Sequence, residues 1–453
     1  MASSNRANFG SRIGMILATA GGAIGLGNIW RFPYMAGGNG GALFVVLYIV
    51  GVIVLALPCI INEFIIGRHA RSNTPRSYYK ISGGHKGWAS VGLLAAITVF
   101  LIFGFYVIVT GWCFHYVYAA ISGELSQHSA DISQYFEHFS CGSFTPIFWG
   151  AIAMLVVHVI VSRGIQEGIE KASKIMMPIL FILLIGVAII ACTLPGGDAG
   201  LRFVFAPDMS KMDTQVVLCA MGQAFFSMSI GVGCLCTFAS YYTRDTDLVS
   251  TSVQMALLNT LVAILACVII FPTAFAAGIP VNGGPKLLFE TLPYVFHTTF
   301  STQPLLGTII STAFYILLVM AALTTLVSMH EVNTATLHEE LHISRRNASR
   351  LISLAIITLS IFYSLSLGDH TWLKIGGKSF FDFMDNVTGQ YCLAIGAFFT
   401  SILVGWRLPK ALIRDEFTNG GQVHNALFAT YLFLVRFVCP VCILAVFISQ
   451  FIH

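Results

Sequence analysis

Long blocks without a charged side chain alternate with short polar segments along this chain. Ala42 to Asn62, Gly87 to Tyr118, Phe144 to Ser162, Thr214 to Thr243 and Leu248 to Pro285 contain no Lys, Arg, Asp or Glu. A helix crossing the hydrocarbon core of a bilayer takes about 20 such residues. The pattern predicts an all-α integral membrane protein with eleven spans, at 11–36, 42–68, 87–121, 144–162, 170–194, 214–242, 248–278, 305–338, 346–367, 380–405 and 424–450. Several are longer than one perpendicular crossing needs, which implies tilt, breaks or extensions beyond the bilayer. The stretches from Ser122 to Gly142 and from Pro195 to Met212 are the longest polar segments and are expected as loops.

Composition agrees. The 453 residues are 56% hydrophobic and 10% charged, against about 25% charged in soluble domains. The net charge of +4 carries no suggestion of a nucleic-acid partner, because the basic residues mark topology. Arg6, Arg12, the group from Arg68 to Lys86, Arg163, Lys171, Lys174, Arg244, Arg345, Arg346, Arg350, Arg407, Lys410 and Arg414 fall on one side of the eleven spans. Arg202, Lys211, Lys286, Lys374 and Lys378 fall on the other. The positive-inside rule then places the N-terminus in the cytoplasm and the C-terminus outside. No cleavable signal peptide precedes the first span. Eleven cysteines are scattered mostly through spans, without a CxxC pattern, and read as small apolar residues rather than a redox or metal site.

Two segments carry the candidate chemistry. Ala23-Ile24-Gly25-Leu26-Gly27 through Phe32 is echoed by Ser229-Ile230-Gly231-Val232-Gly233 through Phe238, in the first and sixth spans. Transporters built from inverted repeats interrupt corresponding helices in this way, although a match this short also arises by chance. Gly21, Gly22, Gly25 and Gly27 weaken the first helix. A break there frees carbonyls for a cation and N–H groups for an anionic ligand; close helix packing is the competing reading. Asn28, Ser227, Ser229, Asn259, Thr324 and Thr325 supply the oxygen that a hard cation wants, or else helix–helix hydrogen bonds. Arg31, Glu63, Glu331, Asp382, Asp385 and Arg436 are ionisable groups at membrane depth and functional candidates for that reason. Arg31 and Asp385 are placed to converge as a gate.

The string Asn28-Ile29-Trp30-Arg31-Phe32-Pro33-Tyr34, between Gly25-Leu26-Gly27 and Asn39-Gly40-Gly41-Ala42, closely resembles the signature of the neurotransmitter:sodium symporters. Glu63 to Arg68, Ser162 to Pro178, Gln223 to Gly233 and Ser240-Tyr241-Tyr242 extend the resemblance over nearly the whole chain, which looks like a bacterial amino-acid transporter of that family, similar to the bacterial leucine transporter. The resemblance implies two inverted five-helix repeats, about 10–195 and 213–406, with helices 1 and 6 broken, and an extra helix at about 424–450. One sodium site would use Ala23, Asn28, Ser227, Asn259 and the substrate carboxylate. A second would use Gly21, Ile24, Ala321, Thr324 and Thr325. Leu26, Gly27, Ile102, Tyr106, Phe226, Ser229, Val232, Thr325 and Met329 would line the substrate pocket, with Ala23 and Ser227 beside it. Arg31 with Asp385 would form the outer gate, and Arg6 with Glu339, supported by Ser240 and Tyr241, the inner one. Phe9 stands where the family has Trp, Glu339 where it usually has Asp, and Ala263 where it has an acid or serine.

The expected function is sodium-coupled import of an amino acid across a bacterial inner membrane, by alternating access and without enzymatic chemistry. Pocket residues favour a large apolar or aromatic L-amino acid, with Na⁺, most simply two ions, as the coupling cation. The lipid bilayer is the expected partner, with no obligate protein partner evident. A biogenic-amine transporter and a non-transporting amino-acid sensor are the alternatives. Amine carriers have an Asp where this chain has Gly25. With no acid at position 263, charge balance falls to chloride held by Tyr48, Gln223 and Ser227, to Glu63, or to a single Na⁺.

Overall fold

The computed structural model describes residues 6–129, 131–278, 287–301, 303–368, 370–423 and 426–451; Lys286 and the first residues of the last expected span lie outside them. The principal helices are α1 (Arg12–Ala23), α2 (Gly27–Gly38), α3 (Ala42–Ala70), α4 (Lys86–Ser122), α5 (Thr145–Ser162), α6 (Ile165–Cys192), α7 (Thr214–Ser227), α8 (Cys234–Ala239), α9 (Leu248–Ala276), α10 (Pro304–Glu340), α11 (Arg345–Ser366), α12 (Phe380–Arg407) and α13 (Phe428–Ser449). Among the described residues, nine helices are long and apolar enough to cross a membrane, or ten when α1 and α2, bent by 57° at their junction, count as one.

The expected span at 214–242 takes a different form. Its first part, α7, has 14 residues, about 21 Å of helix, short of the ~30 Å hydrocarbon core. The chain turns through 228–233 and resumes as the six-residue α8. Ser229, Gly231 and Gly233 there have φ of 52°, 87° and 74°, which a continuous right-handed helix does not accommodate.

Helices α4 and α10 pack along one another, and α1 lies against α6, α9 and α10. Leu155, Ile182, Ile189, Leu257 and Val441 are each more than 60% exposed, an apolar outer surface suited to lipid. The interior instead buries Asn28, Asn62, Glu63, Gln223, Asn259, Thr324, Thr325, His330 and Glu331. Without water, such groups have to find partners among themselves or with a ligand.

The two long polar stretches are not plain loops. They fold into short helices, Ile132–Ser140 and Gly197–Phe205. Phe136 packs against Trp112 at 5.3 Å and stacks on Phe289 at 5.2 Å, so tertiary aromatic contacts order a segment whose local sequence is polar.

Candidate functional site

The first break is built from the helix ladder outward. Helix α1 is capped by the Ser11 hydroxyl, which accepts from the Gly14 N–H, and stops where Ile24 leaves helical geometry at φ −79°, ψ 100°. The chain resumes with a wide π-turn over Gly27–Arg31. The Ile24 carbonyl accepts from the Thr324 hydroxyl at 3.3 Å and the Thr325 hydroxyl at 3.2 Å. Both hydroxyls also reach the Ala321 carbonyl one turn earlier, at 2.9 and 3.3 Å. Gly21 lets α10 approach: a Cβ there would lie 3.2 Å from Thr324 Cβ. Two carbonyls and two hydroxyls thus meet around one point, a donor set suited to a hard cation.

A second oxygen cluster forms around Asn28. Its Nδ2 donates to Asn259 Oδ1 at 2.8 Å and to the Asn259 carbonyl at 3.1 Å, while its own Oδ1 is buried without a partner. In one orientation of the Asn259 amide, nitrogen donates to the carbonyls of Ser227 at 3.1 Å and Ala23 at 3.2 Å. In the other, oxygen faces those carbonyls, the arrangement that a cation between them would select. Beside this cluster Tyr48 Oη and Ser227 Oγ are 2.7 Å apart, and in the orientation whose oxygen faces the carbonyls Asn259 Nδ2 reaches Tyr48 Oη at 3.3 Å and Ser227 Oγ at 3.4 Å. Gln223 has both amide atoms buried and unpaired, and Ala263 is fully buried.

The second break is held differently. Glu63, fully buried on α3, accepts from the N–H of Gly231 at 2.7 Å and of Cys236 at 3.2 Å. Its carboxylate thereby serves one N–H of the turn and one free N–H in the first turn of α8, where negative charge is favoured. Gly231 allows a close crossing, since a Cβ there would sit 2.5 Å from the Leu393 carbonyl oxygen. Ser229 reaches back toward the Gly22 carbonyl at 3.5 Å.

Between the breaks, the Leu26 N–H donates to Tyr106 Oη at 2.8 Å. A Cβ on Gly25 would lie 2.5 Å from Thr325 Oγ1 and 2.6 Å from Tyr106 Oη, and one on Gly27 would lie 2.9 Å from the Phe226 ring. Ile102 is one turn before Tyr106 on α4 and Met329 one turn past Thr325 on α10, so each shares the face of its neighbour. Val232 is buried within the second break.

The expected gates differ from one another. Arg6 forms an ion pair with Glu339 and lies 4.6 Å over the Tyr241 ring. Glu339 also accepts from the Asn73 N–H at 2.8 Å, and Ser240, the residue before Tyr241, is buried with its hydroxyl on the Thr237 carbonyl. Phe9 packs against Phe238, Tyr241 and Tyr242, with ring centroids 6.1–6.2 Å apart. Arg31, by contrast, is not paired with Asp385; its guanidinium lies 3.9 Å over the Phe226 ring.

Three acids do more than sequence reasoning assigned. Glu331 binds Tyr241 Oη at 2.5 Å and pairs with Arg345. Glu170 accepts from the Gly10 N–H at 2.6 Å and the Ser11 hydroxyl at 2.7 Å, stitching the N-terminal segment to α6. Glu416 anchors Arg68. Glu63 and Glu331 were detectable as acids within apolar runs, but Gly231 lies 168 residues from the first and Tyr241 lies 90 residues from the second.

Comparison with known proteins supplies the family. Its model, the sodium:neurotransmitter symporter family, matches residues 6–145 and 140–453. An uncharacterized sodium-dependent transporter of Bacillus subtilis, YhdH, is 34% identical over 97% of this chain and 96% of its own length. A bovine sodium- and chloride-dependent taurine transporter is 27% identical over 88% of this chain and 71% of its own. The structure of MhsT in complex with L-phenylalanine superposes with a TM-score of 0.89 at 37% identity, covering 98% of this chain and 99% of that one. On the broken helices, the two oxygen clusters and these matches, the chain belongs to the sodium:neurotransmitter symporter family.

Proposed function

We propose that this protein is a symporter driving an amino acid inward with Na⁺ by alternating access. The observation that carries the reading is the pair of oxygen clusters at the first break. Ile24, Ala321, Thr324 and Thr325, with Gly21 alongside, would hold one Na⁺. Asn28, Asn259, Ala23 and Ser227 would hold a second, and the buried unpaired Asn28 Oδ1 is the atom that a cation would satisfy. Uptake into proteoliposomes under an inward Na⁺ gradient tests this. Flux that persists when K⁺ replaces Na⁺ rejects it, and Na⁺-dependent binding without any flux would turn the reading toward a sensor.

The substrate is a large apolar or aromatic L-amino acid. The apolar character of Ile102, Phe226, Val232 and Met329 supports this, as does L-phenylalanine in the similar MhsT. A polar side chain desolvated among them would lose roughly 1–3 kcal/mol. An amine carrier would need an acid near the ammonium, and position 25 has no room for one between Thr325 and Tyr106. A thermal-shift screen of the common amino acids in Na⁺ decides the class, since ligand binding raises apparent stability. Larger shifts with Gly, Ala or Glu than with Leu, Met, Phe or Trp reject it.

The Arg6–Glu339 pair, together with an Arg31 that has not met Asp385, fits a shut inner path and an outer gate yet to close. Chloride at Tyr48, Ser227 and the unpaired Gln223 amide would supply the charge that Ala263 cannot. Faster Na⁺-driven uptake in chloride than in gluconate is expected. Equal rates reject chloride. Glu63 is the weaker candidate for this role, because its oxygens already serve Gly231 and Cys236. We read α7 and α8 as one broken span, which brings the total to eleven, arranged as repeats of about 10–195 and 213–406 with α13 outside them. The N-terminus lies in the cytoplasm and the C-terminus outside a bacterial inner membrane.

A further inference from the structure

A groove runs over the outer surface between the first turns of α4 and the last part of α12, away from both oxygen clusters and from the substrate-lining residues. Its volume of 620 Å³ falls within the range of small-ligand pockets, about 300–1,000 Å³. Trp88, Val91 and Leu94 line it from α4, and Ile395 and Phe399 from α12. Leu93 and Ile97, next to it on α4, are each 49% exposed, so the groove is open to the bilayer from the side. From His85 to Leu94 the helix rises about 14 Å, close to half of the ~30 Å hydrocarbon core.

One end of the groove is cationic. Arg407, at the last position of α12, donates to His85 Nε2 at 2.7 Å. With Nε2 accepting, the His85 proton sits on Nδ1, which leaves that nitrogen as a donor. Lys86 is the next residue, and all three side chains are exposed. No Asp or Glu occurs from Phe64 to Gly123 or from Asn386 to Arg414, so neither wall supplies a counter-ion. Among the described residues, no carboxylate pairs with Lys86 or Arg407. Helix α4 also begins without an acid in its first turn or a side-chain cap. Two tryptophans fix the level of this end. Trp88 borders the groove, and Trp406, beside Arg407, is 59% exposed with its Nε1 on the Arg436 carbonyl. Tryptophans of this kind gather where headgroups meet hydrocarbon.

We propose that this groove is a binding site for one anionic phospholipid, with its phosphate on Arg407, Lys86 and His85 and an acyl chain along Trp88, Val91, Leu94, Ile395 and Phe399. A small free anion would use only the mouth and leave the apolar length uncovered. A zwitterionic lipid would fill the length but bring no net charge to cations that lack an acid. The seated lipid bridges α4 and α12 at the end remote from Asp385. That end is also the side of the Arg6–Glu339 pair, because the segment leading into α4 holds Glu339 through Asn73 and Glu340 through Arg76. On the orientation proposed above, the mouth therefore opens to the cytoplasmic leaflet, whose surface is negatively charged. The site does not depend on the symporter reading.

The test uses Trp88 as the reporter. The full chain is placed in phosphatidylcholine vesicles doped with phosphatidylglycerol or phosphatidylcholine whose acyl chains carry bromine, which quenches a tryptophan that it touches. The part of the emission lost in Trp88→Phe isolates Trp88 from the other tryptophans. Half-maximal quenching of Trp88 is expected at a fraction of brominated phosphatidylglycerol about fivefold or more below that of brominated phosphatidylcholine. Lys86→Gln with Arg407→Gln should abolish that preference. Lys374→Gln with Lys378→Gln removes the same charge from exposed positions elsewhere and should leave it intact, and added inorganic phosphate should not relieve the quenching. Equal midpoints for the two lipids show a groove filled by bulk lipid and overturn the proposal. So does a preference that survives loss of Lys86 and Arg407, or that falls equally with Lys374 and Lys378. Relief by inorganic phosphate overturns it in favour of a free-anion site.

Discussion

The two chain breaks interrupt their helices at similar strings yet present opposite electrostatics. At the first, three hydroxyls serve the backbone: Thr324 and Thr325 donate to the Ile24 carbonyl and Tyr106 accepts from Leu26. Peptide oxygens remain at the centre, surrounded by other oxygens. At the second, a single carboxylate, Glu63, takes up N–H groups of Gly231 and Cys236. The first break is thus organised around oxygen, and its neutral lining leaves room for an added positive charge. The second is held by a resident negative charge and is a fixed part of the protein. Equivalent local sequences were given different roles by the helices packed against them.

The largest effect expected is on the second break. Glu63→Gln replaces an acceptor-only carboxylate with an amide whose NH₂ must face one of two backbone N–H groups. Stability should fall by about 3 kcal/mol, measured by thermal unfolding of the purified protein. A variant as stable as the parent would show that the break holds itself. Gly231→Ala comes next. It combines a left-handed φ of 87° with a Cβ 2.5 Å from the Leu393 oxygen and should cost about 2–3 kcal/mol, with substrate binding lost in proportion to folding.

The first break should respond in ligand affinity rather than in stability. Thr325→Ala and Asn28→Ala are each expected to weaken Na⁺ about tenfold, or about 1.4 kcal/mol. Substrate affinity measured at low Na⁺ should fall by a linked factor, since coupling between sites is reciprocal. A large loss of stability without a change in the Na⁺ titration would make the two breaks alike and undo the contrast.

A smaller effect belongs to the latch at the end of α3. Burial by itself would raise the Glu416 carboxyl, but the hydrogen bond from His69 and the charge of Arg68 hold it below the ordinary range. A carboxyl depressed in the folded state contributes stability above its unfolded value, about 4.3, and loses it as pH falls through the folded one. Glu416→Gln should therefore lower thermal stability at pH 7 by about 1 kcal/mol or more, with variant and parent converging below about pH 4. A constant difference from pH 7 to 4 would assign the loss to packing.

Much of the candidate site was legible because its residues bunch in the sequence. Gly21 to Asn28 announces a weak helix with oxygen next to it, and Thr324-Thr325 stands out within an apolar run. Asn259 was a candidate as an oxygen-bearing side chain inside a span, but assigning it to one site with Asn28, and adding Ala321 at all, required the family resemblance. Arg31 and Asp385 were legible as membrane-depth charges, but not that Arg31 would rest on Phe226.

The sequence by itself determined the membrane solvent, the positions of most spans and the two weak points in the helices, because these follow from local hydrophobicity and glycine content. Tertiary structure alone decided that Ile132–Ser140 folds under Trp112 and Phe289, that Glu63 belongs to the second break, and that Glu416 anchors Arg68. Each of these is a contact between residues distant in the chain. In a low-dielectric interior a polar group takes whatever partner the packing of helices brings within about 3 Å, and no local pattern encodes which partner that will be.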